Sequence, residues 1–273
     1  MATFGIEMRL ARLFNRGQNA VIVAVDHGEF DGPIKGLVNL PEVVKKINPC
    51  VDGVLLSPGM LRHCRHIFNT RDGPLAVVRL NWSTVYCFQW KYREARTVQA
   101  VSAREAIALG ADIVLVSLTL QTGSEKTDSE NIEVFCRLCN EAHSLGIPVI
   151  GEFFPPAVDE LSPKDLHERV RISCRIVAEL GADLIKTFYT MDFKSVAAGC
   201  PIPILGLGAE KLPTQLDALR LARREIRDGA KGVVFGRNAI QVPDPFKFQA
   251  ALCEVVKNGA SPAATVKKYK LKD

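Results

Sequence analysis

At 273 residues, 47% hydrophobic and 24% charged, the chain is long enough for one large core, and α/β barrels often reach this length as a single domain. No basic N-terminal segment leads into an apolar stretch, and no apolar run approaches the ~20 residues that span a bilayer, so the expectation is a cytoplasmic protein with no membrane partner. The net charge of +5 is scattered apart from KKYKLK at 267–272 and comes with no nucleic-acid motif, which suits small anionic substrates better than DNA or RNA.

In chain order, residues 1–17 read as an amphipathic cap helix over the bottom of a barrel. The first strand is AVIVAV (20–25), followed by a helical LPEVVKKI, a second strand GVLLS (53–57) and a third, LAVVRL (75–80). Residues 81–97, NWSTVYCFQWKYREART, hold both tryptophans and two tyrosines outside the repeat, as a lid or a subunit contact. Helical AREAIALG, strand DIVLVSL (112–118), helical NIEVFCRLCNEAHSLG and strand PVIGEF (148–153) follow. Helical VRISCRIVAELG, strands DLIKTF (183–188) and PILGLG (203–208), helical LDALRLARREIRDG and strand GVVFG (232–236) complete the series. Helical segments stop at Gly110, Gly146, Gly181 and Gly229, as a C-terminal glycine cap requires. Eight strands alternating with helices predict a single (β/α)8 TIM barrel over residues 1–273. An open doubly wound sheet is the alternative, weakened because no G-x-G-x-x-G follows the first strand.

The eight cysteines are too sparse for a disulfide scaffold and are expected to be reduced. Cys136 and Cys139 form a lone C-x-x-C within a helical pattern. With no second Cys/His pair at zinc spacing they read as helix residues rather than a metal or redox site.

Barrel enzymes carry their chemistry at the C-terminal ends of the strands. Those ends hold Asp26-His27-Gly28, Arg79 and Asn81, Glu152, Lys186, GLGAEK (206–211) and GRNAIQ (236–241). The period of two puts Leu184, Lys186 and Phe188 on one face, so a lysine joins the interior if Leu184 does. An interior amine is either a Schiff-base nucleophile or a packed stem whose head pairs with a carboxylate. Asp26 and Glu152 suit proton transfer beside it, although Asp26 also fits a helix cap or loop anchor. His27 can titrate, but a continuing strand would point it opposite to Asp26. Gly206, Gly208, Gly236 and Arg237, with Lys211 and Arg79 as further cations, mark a phosphate pocket on adjacent strands.

GADLIKTFYT with the following MD, AVDHG, PIPILGLGAEK and GVVFGRNAIQ together resemble the DhnA/FbaB family of class I aldolases, over about residues 17–258. That family includes archaeal-type fructose-bisphosphate aldolases, aminodideoxyheptulosonate synthases and the autoinducer-2 thiolase. The resemblance implies an imine at Lys186, proton transfer by Asp26, phosphate contacts at Gly236 and Arg237, no cofactor, no metal and a homo-oligomer. Phe154 and Pro156 stand where many members have the tyrosine acid and the arginine of Y-P-R-G. Glu152, similar to a glutamate of tagatose-bisphosphate aldolases, or Tyr189 then takes the acid role. Leu207 replaces a loop glycine and Lys211 is offset, departures that bear on a second phosphate contact. The expected activity is a class I aldolase, a lyase acting on a phosphorylated sugar or keto compound. The rival readings are CoA-dependent acyl transfer, or a sugar-phosphate-binding barrel without turnover.

Overall fold

The computed structural model describes residues 4–15 and 18–272. The chain opens with helix α1 (Phe4–Leu13), then β1 (Ala20–Ala24), α2 (Gly28–Asp31), α3 (Leu40–Val44), β2 (Gly53–Leu56), α4 (Pro58–Cys64) and β3 (Leu75–Arg79). Next come β4 (Asn81–Ser83), β5 (Thr97–Gln99), α5 (Ala103–Leu109), β6 (Ile113–Leu118), α6 (Glu125–Ser144), β7 (Val149–Phe153) and α7 (Pro163–Glu179). The last stretch holds β8 (Leu184–Phe188), α8 (Phe193–Gly199), β9 (Ile204–Leu207), α9 (Gln215–Arg227), β10 (Gly232–Phe235), α10 (Arg237–Ile240), α11 (Pro245–Asn258) and α12 (Pro262–Tyr269).

Eight parallel strands close in the order β1-β10-β9-β8-β7-β6-β3-β2, the TIM barrel expected from the alternation. Each predicted strand is present with its ends within a residue or so. The predicted helix stops Gly110, Gly146, Gly181 and Gly229 all have positive φ, between 69° and 115°. Side chains at helix starts make the matching N-caps: Ser102 and Glu105 form a reciprocal capping box on α5, and Ser162 and Thr214 cap α7 and α9.

Aspartates just before three strands lock the barrel's lower edge. Asp52 accepts from the backbone N–H of Val21, Asp112 from Ala76 and Asp183 from Val149, at 2.8–3.0 Å. Each carboxylate thus ties its own strand to the preceding one, the structural reason for the Gly-Ala-Asp turn. The inner face is filled by Ile22, Leu55, Val77, Leu115, Ile150, Leu184, Leu205 and Val234, and Leu13 of α1 plugs it from below. The cap-helix expectation holds over the described part; residues 1–3 and 16–17 lie outside the described residues. Among those described, no helix is long and apolar enough to cross a membrane. Cys136 and Cys139 lie on α6, and all eight cysteines are free thiols.

Candidate active site

The two-residue period that fills the barrel with Leu75 and Val77 brings Arg79 inward at the top of β3. The same period follows Ile150 with Glu152 on β7, and Leu184 with Lys186 on β8. Glu152 and Lys186 are paired across β7 and β8, so their side chains rise together. Lys186 Nζ stands 2.5 Å from Glu152 Oε1. Arg79 Nη2 donates to Glu152 Oε2 at 2.6 Å, and Arg79 Nε donates to Asp26 Oδ2 at 2.8 Å. Asp26, Arg79, Glu152 and Lys186 are all at least nine-tenths buried, with exposures of 5%, 2%, 2% and 7%. Signs alternate along the chain of four, so the cluster is compensated within itself, as buried charges require.

Burial drives the Asp26 carboxyl upward, but the charges of Arg79 and Lys186 outweigh it and hold the group below its ordinary range. Glu152 behaves alike: burial opposes ionisation, and Lys186 and Arg79 overcome it. Both carboxylates are therefore ionised and able to accept protons. The Arg79 guanidinium carbon lies over the rings of Tyr86 and Phe30, 4.8 and 5.2 Å from their centroids.

The cluster forms the floor of a cavity of about 580 Å³ at the barrel mouth, lined by Asp26, Arg79, Glu152 and Lys186. Gly208, Lys211, Gly236 and Arg237 also line it. Arg237 donates to the carbonyl of Ala209 at 3.1 Å, and its buried Nε has no hydrogen-bond partner among the described residues. Lys211 Nζ turns back to the carbonyl of Leu212. Asn238 shapes this edge: its amide donates to the carbonyls of Gly208 and Glu210 and accepts from Leu212 N–H.

Several expectations are corrected. Gly206 does not line the cavity; it faces the helix layer, where a Cβ would lie 2.4 Å from Cδ of the buried Glu225. The glycine is there for that close packing. A continuing strand would point His27 away from Asp26, but β1 ends at Ala24 and the chain turns. The imidazole therefore lines the same cavity, packed where a Cβ on Gly236 would be 2.4 Å from its ring. Burial keeps His27 below its ordinary value despite Asp26 beside it. Tyr189, the other candidate acid, points out of the barrel and donates to Asp228 at 2.6 Å.

Segment 81–97 begins with β4 and runs to the first residue of β5, with which β4 pairs antiparallel. Its first half places Tyr86, Phe88 and Gln89 in the cavity lining, while Trp90 and Tyr92 stay exposed. Tyr86 is the residue that sequence reasoning missed. Its ring packs at a tilt of 58° on Phe154, 4.7 Å centre to centre, and its hydroxyl, beside Glu152 and Ser117, has no aligned partner among the described residues. Burial and the Glu152 charge keep this phenol protonated, well above its ordinary ionisation range. Only the tyrosine–tryptophan richness of the loop signalled it.

The barrel superposes on a Schiff-base-forming fructose-1,6-bisphosphate aldolase with a TM-score of 0.75 and 27% identity, covering 92% of this chain and 99% of that one. An uncharacterized aldolase of Saccharolobus solfataricus is 34% identical over 96% of this chain and 98% of its own length. The 3-hydroxy-5-phosphonooxypentane-2,4-dione thiolase of Yersinia pestis is 31% identical over 96% of this chain and 85% of its own. The sequence profile of the DeoC/LacD family aldolases matches residues 20–242. With relatives aligned along nearly its whole length and a family profile covering most of it, the chain belongs to the DeoC/LacD aldolase family and is an enzyme of the lyase class.

Proposed function

We propose that the protein is a class I aldolase that makes or breaks a C–C bond in a phosphorylated keto substrate through an imine on Lys186. The observation that carries this reading is the ammonium of Lys186, 2.5 Å from Glu152 in the floor of a cavity large enough for a sugar phosphate. Glu152 takes a proton from the lysine, freeing the amine to add to the ketone, and returns one as water leaves the carbinolamine. Asp26, kept ionised by Arg79, accepts the hydroxyl proton as the C–C bond breaks. The iminium receives the bonding electrons. Arg237, Lys211 and the backbone at Gly208 and Gly236 hold the phosphate. Eight free thiols fit a reducing compartment, so the same reading places the enzyme in the cytoplasm.

Incubation with dihydroxyacetone phosphate and borohydride tests the imine: the adduct mass is expected on the Lys186 peptide. Return of the unmodified peptide from every ketone tried removes the proposal. A second reading is retro-Claisen transfer of an acyl group to coenzyme A, favoured by the 31% identity to the Yersinia pestis thiolase. Acyl-CoA formation that is lost in Lys186→Met would select it over aldol cleavage.

A further inference from the structure

The two ends of the cavity differ chemically. Among the described residues, the lining lysines and arginines other than Lys186 and the carboxylate-bound Arg79 are Lys35, Lys211 and Arg237. All three lie on segments that follow β1, β9 and β10. Gln241 donates to the Lys35 carbonyl at 2.6 Å, which brings that segment against α10, and Arg237 reaches the β9 loop at Ala209. The three cations are therefore gathered at one edge, where they outnumber the two carboxylates of Asp31 and Glu210 on the same segments.

The opposite wall is aromatic. Phe154, at the end of β7, has Tyr86 at 4.7 Å, Phe188 at 5.0 Å and Phe88 at 6.1 Å, ring centre to ring centre. All four rings line the cavity. The charged group on that side is the exposed carboxylate of Asp159, of the wrong sign for a phosphate.

From this asymmetry we infer that the substrate carries a single phosphate, at the β9–β10 edge, and that its far end is an unphosphorylated apolar chain or ring lying on the Phe154 wall. A second phosphate there would give up its hydration with no cation to receive it. A hydrocarbon group sheds only water that it holds weakly and gains contact with the rings. The site of the reaction rests on the imine proposed above; the two-ended binding does not.

In the cleavage direction the Lys186 amine adds to the ketone and water leaves, giving the iminium. The C–C bond then breaks, its electron pair moves into the iminium as an enamine, and the hydroxyl proton passes to a carboxylate. An apolar aldehyde departs. The enamine regains a proton and water hydrolyses the iminium, releasing the phosphorylated ketone and the free amine.

Calorimetric titration of the full chain with n-hexyl phosphate and with 1,6-hexanediol bisphosphate reads binding without turnover. The monophosphate is expected to bind at least about tenfold more tightly, since the added phosphate meets no cation on the apolar wall. Phe154→Arg, and Phe88→Arg at a half-exposed position, should narrow or invert that ratio. Equal or tighter binding of the bisphosphate to the unaltered protein, or no binding of hexyl phosphate, overturns the inference. Borohydride trapping with dihydroxyacetone phosphate, then condensation with 3-phenylpropanal or glyceraldehyde 3-phosphate, separates the two proposals. Failed trapping removes the aldolase reading and leaves the two-ended binding to be decided by the titration. Successful trapping with preference for glyceraldehyde 3-phosphate removes the substrate inference alone.

Discussion

Replacing Arg79 with methionine removes the one cation that bridges Asp26 and Glu152 while keeping an unbranched stem in place of its aliphatic part. Arg79 is 2% exposed, and it donates to both carboxylates at 2.6–2.8 Å. Breaking a buried ion pair from one side costs about 3–5 kcal/mol, because the abandoned charge stays buried. In a chain of this size, where a kcal/mol moves the midpoint by roughly 2–3 °C, that amounts to a fall in Tm of about 6–15 °C near neutral pH. The pH dependence gives the sharper test. In the native protein Asp26 and Glu152 ionise below their ordinary values of 3.8 and 4.5. Their stabilisation is therefore complete above those values and is lost as the pH falls below them, through the lower native pKa values. Without Arg79, burial dominates at Asp26 and its pKa rises, so the variant loses stability as the pH climbs. The gap in Tm between native and Arg79→Met should widen from pH 5 to pH 8 in scanning calorimetry. A loss under about 1 kcal/mol, or a gap indifferent to pH, would refute the claim that this guanidinium compensates the two carboxylates.

Glu152→Gln keeps the acceptor for Arg79 but removes the proton carrier next to Lys186, so the borohydride-trapping rate should fall ~10²-fold or more. An unchanged rate would relieve Glu152 of that role. Tyr86→Phe preserves the ring contacts with Phe30 and Phe154 and deletes a protonated hydroxyl beside Glu152; turnover should fall about tenfold or more with Tm nearly unchanged, whereas full activity would make Tyr86 purely structural. Glu225 is fully buried without a hydrogen-bond partner among the described residues, and burial pushes its pKa well above 4.5. Its folded form suffers no penalty below that value and loses stability as the pH rises, so Glu225→Gln should gain in Tm over the native protein from pH 4 to pH 8. Parallel Tm curves across that range would contradict a neutral buried acid.

Much of the fold is legible in the chain alone. Short apolar runs rich in β-branched residues, four of them led in by a helix and a glycine stop, fit strands buried on both faces. Lys186 and Glu152 stand out for the same reason: periodicity assigns a face, and a polar residue on an apolar face is conspicuous. Tyr86 does not, because a loop has no period to assign the direction of a side chain. Gly206 misleads because glycine answers two needs with one signal, close approach to a ligand and close approach to another side chain. His27 misleads because the strand ends at Ala24, before its apolar pattern runs out at Val25.

Local covalent and steric preferences acting at two- and four-residue range settled the strands, the helices, their caps and the inward lysine, and these are written in the order of residues. Closure of the barrel decided the rest. It brought Asp26, Arg79, Glu152 and Lys186, from the upper ends of four different strands, into one compensated charge cluster. It also laid Tyr86 and Phe88 of a distant loop over Phe154, giving the cavity its apolar end. Contacts between residues far apart in the chain depend on the packing of the whole ring, which short-range preference does not encode.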